Sequence, residues 1–315
     1  MWGIIGLGRI SARHIEALKS LGEEIVATCD IDPEKKATYI NYFDLINDER
    51  VDKVAICTPN NLHAVMAIEA MRADCDVVLE KPVAITCDDA HAVEIASRHY
   101  NRFVYPVLQV RFNPALQLLK NVIKSGFLGR IYNCSVVIRW NRPQEYFTGW
   151  RGSREEDGGC LLTQGIHYLD VMLWMMGKVS GVYAQVEKVA HDIEVEDMVN
   201  ALFSFENGAR GLFEFSVNSF QHNTECSIAI VAEKGNVKIG GQAMNKIELW
   251  EVDHFPKPDI SEGYAPNVYA GGLYQGSCPN HLEVYKSILG GTAVKLTDAV
   301  KTIEIIDLIY KFRRG

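Results

Sequence analysis

Lys81 closes the apolar run Asp76-Val77-Val78-Leu79-Glu80 and is followed at once by Pro82, so a buried strand ends in an acid, a base and a proline. Proline gives no N–H to a sheet ladder, and the chain must turn there. A lysine so placed has two readings. It is a surface partner of Glu80, a pairing of little worth. Alternatively, beside a redox cofactor, it hydrogen-bonds a substrate hydroxyl and takes its proton, its ordinary pKa of about 10.4 lowered by burial. Pro82 fits a turn, with a cis bond as one option, that aims the lysine into a cleft. The second group lies in DGGCLLTQGIHYLD, where His167 stands one helical turn before Asp170 and one turn after Thr163. An imidazole titrates near neutrality and suits proton transfer, with Asp170 or Thr163 to orient it. A core histidine on an apolar helix is the other reading of the same residue.

A third constellation opens the chain. GIIGLGRISARH sets Gly6 and Gly8 directly after a strand and before a helix, with Ser11-Ala12 where a dinucleotide fingerprint has its third small residue. Such glycines allow a tight turn and close approach of a pyrophosphate to the helix start. Asp30 ends the second strand about 20 residues on, the spacing the fingerprint requires. It would accept from an adenosine ribose and repel an extra phosphate, which favours NAD over NADP; the alternative is a turn acid ahead of Asp32-Pro33. Thr58, Pro59 and Asn60 end the next strand at the same carboxyl edge, and His63 follows either as a site residue or as a cap or surface histidine. Gln109 and Arg111 follow the fifth strand.

These groups need a frame. Strands are expected at Trp2 to Ile5, Ile25 to Cys29, Val54 to Cys57, Val77 to Leu79 and Phe103 to Val107, separated by helical periodicity at Ala12 to Leu21, Leu62 to Arg72 and Cys87 to His99. Alternation of this kind predicts a parallel sheet with helices on both faces, and Thr86, Asp88 and Asp89 supply N-cap chemistry to the last helix. Beyond it come strands at Ile131 to Trp140, Val182 to Ala190, Val199 to Phe205, Ala209 to Val217, Glu225 to Ala232, Gly235 to Ile239 and Lys246 to Val252. Asn207-Gly208 and Lys234-Gly235-Asn236 read as hairpin turns, so this second sheet is mostly antiparallel. Helices are expected at Pro114 to Lys124, Leu161 to Met176, His281 to Leu289 and Thr297 to Arg313, and residues 257 to 279 form one long irregular segment. The fold expected is therefore α/β plus α+β: a Rossmann domain over residues 1–118, then an α+β domain with an open sheet over residues 119–315, whose last helix, about 297–313, returns to the first.

Composition narrows the partners. The 315 residues are 48% hydrophobic, enough for two cores, and carry a net charge of -8 from 32 basic and 40 acidic residues. That charge repels a nucleic-acid backbone. No apolar run approaches the roughly 20 residues of a membrane helix, and the chain opens on a strand rather than a signal peptide, so a soluble cytoplasmic protein is expected. Eight cysteines are scattered without a Cys-x-x-Cys pair, which points to buried free thiols and no metal site.

Taken together, the glycine turn with Arg9 and His14, ICTPNNLHAVMAIEAM, VLEKPVA and the GG…GIHYLD helix resemble the glucose-fructose oxidoreductase and inositol dehydrogenase family, Gfo/Idh/MocA, over nearly the whole chain. The resemblance implies NAD(P)-dependent hydride transfer at a sugar or polyol carbon, with Lys81 and His167 as acid/base groups, and subunit pairing through the open sheet as a homodimer or homotetramer. It implies cofactor contacts at Gly6, Gly8, Arg9, Ile10, Asp30, Thr58, Pro59, Asn60, His63, Glu80, Lys81, Gln109, Trp150 and Arg151. Substrate contacts are implied at Lys81, Arg111, Arg154, Thr163, Gln164, His167 and Tyr168. Many members carry aspartate four residues before the histidine, where Thr163 stands here. A threonine cannot stabilise an imidazolium as a carboxylate does, so Lys81 is favoured as proton acceptor and His167 as orienter of the hydroxyl, with the exchanged roles left open.

Within the family, LQVRFNPAL, RWNRPQEYFTGWRGSREEDGG and HLEVYKSILGG look most like nucleotide-sugar 3-dehydrogenases, which oxidise carbon 3 of UDP-N-acetylglucosamine or its uronic acid, UDP-N-acetyl-2-amino-2-deoxyglucuronate. Arg111, Arg139, Arg142, Arg151 and Arg154 are candidates to hold a diphosphate or carboxylate, and Trp150, Tyr146 and Phe147 to stack on a ring, against ordinary packing and ion pairing. In some members of that branch bound NADH is reoxidised by 2-oxoglutarate. Two alternatives stand beside this reading: a dehydrogenase of a free sugar or inositol, and a non-catalytic NAD-sensing protein on the same fold.

Overall fold

The computed structural model describes every residue except 261–267, 270–273 and 314–315. In chain order the elements are β1 (Trp2–Ile5), α1 (Ser11–Ser20), β2 (Ile25–Cys29), α2 (Tyr42–Ile46), β3 (Lys53–Ile56), α3 (His63–Arg72), β4 (Asp76–Leu79), α4 (Cys87–Tyr100), β5 (Val104–Pro106), α5 (Pro114–Lys124), β6 (Ile131–Arg139), α6 (Ile166–Met176), β7 (Val179–Glu187), β8 (Met198–Phe205), β9 (Arg210–Ser216), β10 (Glu225–Ala232), β11 (Gly235–Gly240), β12 (Lys246–Val252), β13 (Val268–Tyr269), β14 (Tyr274–Gln275), α7 (His281–Leu289) and α8 (Leu296–Tyr310). Two compact units result: residues 1–108, 155–158 and 281–304, and residues 109–154, 159–280 and 305–315. Among the described residues no helix is long and apolar enough to cross a membrane.

The first unit is a five-stranded sheet ordered β2-β1-β3-β4-β5, with its paired strands all parallel. All four residues of β1 are buried, as a strand covered on both faces must be. Strand order reverses beside β1, between β2 and β3, which opens a crevice at their carboxyl ends. The Thr86 side chain caps α4 by accepting from the Asp89 amide, Asp88 and Asp89 lie in its first turn, and Arg98 and His99 in its last, each end matched to the helix dipole.

The second unit is built on a seven-stranded sheet ordered β12-β11-β10-β6-β9-β8-β7. Its pairs are antiparallel apart from β6 with β9. Cys134, Val136, Ile138, Phe203, Phe213 and Phe215 make the buried face. Helix α6 lies on it: a Cβ added at Gly165, just before the helix, would sit 3.0 Å from the Phe215 ring, a tight approach, so that a larger residue would have to displace the ring.

Several boundaries differ from the sequence reading. Strand β7 runs Val179–Glu187 rather than Val182 to Ala190, because the Asp197 carboxylate takes the amides of Val189, Ala190 and His191 and bends that stretch out of the ladder. The β10–β11 turn is Glu233-Lys234, since Ala232 already pairs with Gly235. Helix α8 stops at Tyr310, and Arg313 bridges to Val186 instead. The helix expected from Leu161 opens as a π turn over Leu161–Gly165. Of the irregular stretch 257 to 279, residues 261–267 and 270–273 lie outside the described residues, and the short β13–β14 pair falls within it.

Candidate active site

In the first unit the site begins at the β1–α1 turn. Gly6 has φ +88°, a conformation costly to other residues, and a Cβ there would lie 2.8 Å from the Cys57 carbonyl oxygen on β3. Gly8 faces open space, where an added Cβ meets nothing. Ile10, at the N-cap of α1, offers no side-chain cap, and no acidic residue stands in the first turn. The helix start is therefore suited to an anion. Asp30 accepts the Leu7 amide at 2.6 Å through Oδ2 and the Asp32 amide at 2.9 Å through Oδ1. It thus serves as a turn acid, and each carboxylate oxygen keeps a lone pair for another donor. Beyond β3, Thr58 Oγ1 is buried without a hydrogen-bond partner among the described residues. An open cradle at Gly8, uncapped amides and an orphaned hydroxyl at the switch point together fit a dinucleotide.

Other expected cofactor residues are engaged within the protein. Asn60 donates to the Asp157 carbonyl at 2.9 Å. His63 is buried rather than a surface histidine, its Nδ1 2.6 Å from the Pro82 carbonyl and its Nε2 2.9 Å from that of Thr58. Its burial lowers its pKa despite those carbonyls. Pro59 leads the 3-10 turn that contains Asn60. Lys81 follows β4 at its carboxyl end, half-buried, and the Lys81–Pro82 peptide is cis. Glu80, between them, is buried against His14 and His281.

In the second unit Gln109, Arg111, Thr163, Gln164, His167 and Tyr168 are all buried. The π turn holds Thr163 and Gln164 immediately before α6, and such widened turns recur at functional sites. Gln109 Nε2 lies 3.1 Å from Ser277 Oγ and 3.4 Å from His167 Nε2, the latter a long contact. Arg111 places Nε and Nη2 on both oxygens of Asp170, at 2.7 and 2.6 Å, and stacks its guanidinium over Trp174 at 5.4 Å. The carboxylate it meets is thus its own neighbour's. Tyr168 is fully buried edge-on to Trp140 at 5.4 Å.

The remaining arginines divide. Arg139, expected near the site, is exposed and forks onto Glu214 while also pairing with Glu225 across neighbouring strands. Arg154 is exposed, its amide on Glu194 Oε2 at 2.9 Å. Arg142 and Arg151 stack with aromatic rings, Arg142 over Trp140 at 4.6 Å and Arg151 over Trp150 at 4.8 Å, and both lie 5.4 Å from the Tyr146 ring. All eight cysteines are free and seven are buried; burial pushes the Cys134 thiol up to about 12, which keeps it protonated and inert.

The groups that spacing does not reveal are the partners of Glu80. His281 is 201 residues away, and Tyr285 is 271 residues from His14. Their motif neighbourhoods, SARH and HLEVYKS, carry no signal of contact beyond the presence of a histidine.

Comparison with known proteins follows the same division. Residues 1–106 match the profile of an oxidoreductase family with an NAD-binding Rossmann fold, and residues 116–238 that of the GFO/IDH/MocA C-terminal domain. The WlbA dehydrogenase of Bordetella pertussis, solved with NADH and UDP-GlcNAcA, is 31% identical with TM-score 0.86, over 99% of this chain and 95% of that one. The Chromobacterium violaceum WlbA complex with the same ligands is 30% identical with TM-score 0.86, over 99% of this chain and 92% of that one. Inositol 2-dehydrogenase of Salmonella typhimurium is 32% identical over 197 residues, 56% of this chain and 54% of its own, so the match spans about half that relative's length.

Proposed function

This chain belongs to the GFO/IDH/MocA oxidoreductase family and its first unit binds NAD; from that premise we propose that it oxidises a nucleotide-sugar hydroxyl to a ketone, at carbon 3 of UDP-N-acetylglucosamine or its uronic acid. One observation carries the reading: the end-to-end likeness, at TM-score 0.86, to WlbA dehydrogenases that bind NADH and UDP-GlcNAcA.

Bound NAD supplies the hydride acceptor. The cradle at Gly6, Gly8 and Ile10 would hold its pyrophosphate and Asp30 its ribose, with Thr58 Oγ1 a further polar partner. Lys81 accepts the hydroxyl proton while the carbinol carbon gives up its hydride, so the alcohol loses two hydrogens and becomes a ketone. His167 orients the hydroxyl from its place on α6. Arg151, stacked on Trp150, offers a cationic plane to a diphosphate or a base, whereas Arg142 is buried against Trp140 and Tyr146.

A free-sugar or inositol dehydrogenase is the second reading, favoured by the 32% identity to inositol 2-dehydrogenase and by Arg111 being held on Asp170. Titrating the NADH complex with UDP and with inositol, followed by NADH fluorescence, separates the two: a response to UDP alone supports the nucleotide sugar, and a response to inositol alone overturns it. Where NADH survives gel filtration, 2-oxoglutarate is the expected reoxidant, checked by loss of that fluorescence on its addition. Free cysteines agree with a cytoplasmic setting, and the exposed sheet face with a homodimer or homotetramer.

A further inference from the structure

The acid of the Glu80-Lys81-Pro82 turn sits at the centre of a buried network inside the first unit. Glu80 is 5% exposed, and His14 from α1 and His281 from α7 are 0% and 1% exposed. Glu80 Oε1 faces His14 Nε2 at 2.9 Å and His281 Nε2 at 3.1 Å, and its Oε2 accepts the main-chain N–H of Lys81 at 3.2 Å. His14 Nδ1 meets the Tyr285 hydroxyl at 2.8 Å. One oxygen can accept from two ring nitrogens only if both carry hydrogen, so both imidazoles are protonated at Nε2 and the carboxyl group is ionised. Burial alone would raise the Glu80 pKa, yet the hydrogen bonds from His14 and His281 hold it well below the ordinary carboxylate range. His281 keeps a neutral ring, its pKa lowered by burial.

The same three side chains, with donor atoms all within 4.8 Å, form a set that a metal ion could bridge. Hydrogen accounting argues otherwise. Ligation through Nε2 would move the His281 proton to Nδ1, which is buried with no partner among the described residues. Ligating histidines ordinarily donate that N–H, and an orphaned buried donor is costly. The hydrogen-bonded arrangement leaves only a bare acceptor there.

The main chain is held on the far side of Lys81 as well, where His63 meets the Pro82 carbonyl. The geometry points to Glu80 as a positioning residue for Lys81: a carboxylate fixed by His14 and His281 that holds the lysine's amide, and so the origin of its side chain, in place. This rests on the reading of Lys81 as the acid/base group. The charge matters because a carboxylate accepts all three N–H groups, whereas a glutamine whose oxygen stays with the histidines turns its NH2 toward the Lys81 N–H.

The test is a double-mutant cycle on kcat/KM of the full chain with NAD and sugar substrate. Glu80→Gln is expected to lower turnover roughly 10- to 100-fold with the KM for NAD little changed, since misplacing a reacting group by about 1 Å costs that much. In a Lys81→Ala background the same change should alter the residual rate by less than about twofold, because a positioning effect vanishes with the group it positions. An equal loss in both backgrounds, or none in either, overturns the proposal. If Lys81→Ala itself turns over at the wild-type rate, the mechanistic reading fails first and the proposal with it. Should Glu80→Gln not fold, His281→Gln removes one support and keeps the carboxylate; a several-fold loss confined to the Lys81 background is expected, and an additive loss overturns the proposal. Stoichiometric metal in the purified protein, measured by plasma mass spectrometry, would also overturn it.

Discussion

At the scale of single residues, the site depends on groups whose side chains have more than one task. Asp30 ties the β1 turn to β2 through the Leu7 and Asp32 amides and, by its spacing, is the expected partner of the cofactor ribose. Asp30→Ala should therefore raise the KM for NAD about 10-fold or more, the value of a hydrogen bond to a charged group, and narrow the preference over NADP; steady-state kinetics with both cofactors check it. Gly6→Ala meets both an unfavourable φ and the Cys57 carbonyl. A loss of about 1–3 kcal/mol is expected from such strain, read as a lower melting temperature together with weaker NADH binding. Residue type and position single out Lys81, His167 and the glycine turn as candidates, and the family resemblance is what favours the first two over their structural readings. The role of Glu80 is not legible in this way, because its partners come from elements 66 and 201 residues away and no periodicity connects them. Of the two readings open to Arg139, substrate contact or ion pairing, the structure shows ion pairing: strand alternation turns its side chain to the exposed face, where Glu214 and Glu225 receive it.

At the scale of elements, the π turn that leads into α6 is held by a buried acid from the loop between β7 and β8. Glu196 accepts the Leu161 amide at 2.9 Å and the Tyr310 hydroxyl at 2.7 Å, and pairs with Arg313. Tyr310→Phe should cost about 1 kcal/mol, one hydrogen bond, seen in denaturant unfolding. The loop after β7 makes a pH-dependent contribution. The hydrogen bond to Asp197 raises the His191 pKa against burial, and Asp197 is held low by the same bond and three amides. A raised histidine pKa stabilises fully below about pH 6.5, the unfolded value, and the contribution fades as pH rises through the folded value. Melting temperature should accordingly fall from pH 6.5 to 8 by more in the wild type than in His191→Gln. Strand and helix types were readable from apolar periodicity, whereas the early end of β7 and the π turn were not, since side-chain acceptors that periodicity does not register, Asp197 and Glu196, bond the main chain there.

At the scale of the whole molecule, the second sheet leaves one face exposed. Tyr183, Leu202 and Leu212 are in register across β7, β8 and β9 and are 57%, 57% and 37% exposed. An apolar row on a face otherwise crossed by ion pairs is the expected seat of a second copy. Leu202→Lys should shift the mass measured by light scattering toward the monomer. Sequence motifs carried the family and the cofactor; the substrate is less legible, because the arginines expected to read it are distributed between ring stacking and ion pairs within the chain. The decisive measurement is NADH formation by the wild-type protein with NAD and, in parallel, UDP-GlcNAcA, UDP-N-acetylglucosamine and inositol, with the product's keto position identified. The account predicts turnover of a UDP-sugar to a 3-keto product and none of inositol; turnover of inositol with both UDP-sugars inert would contradict it.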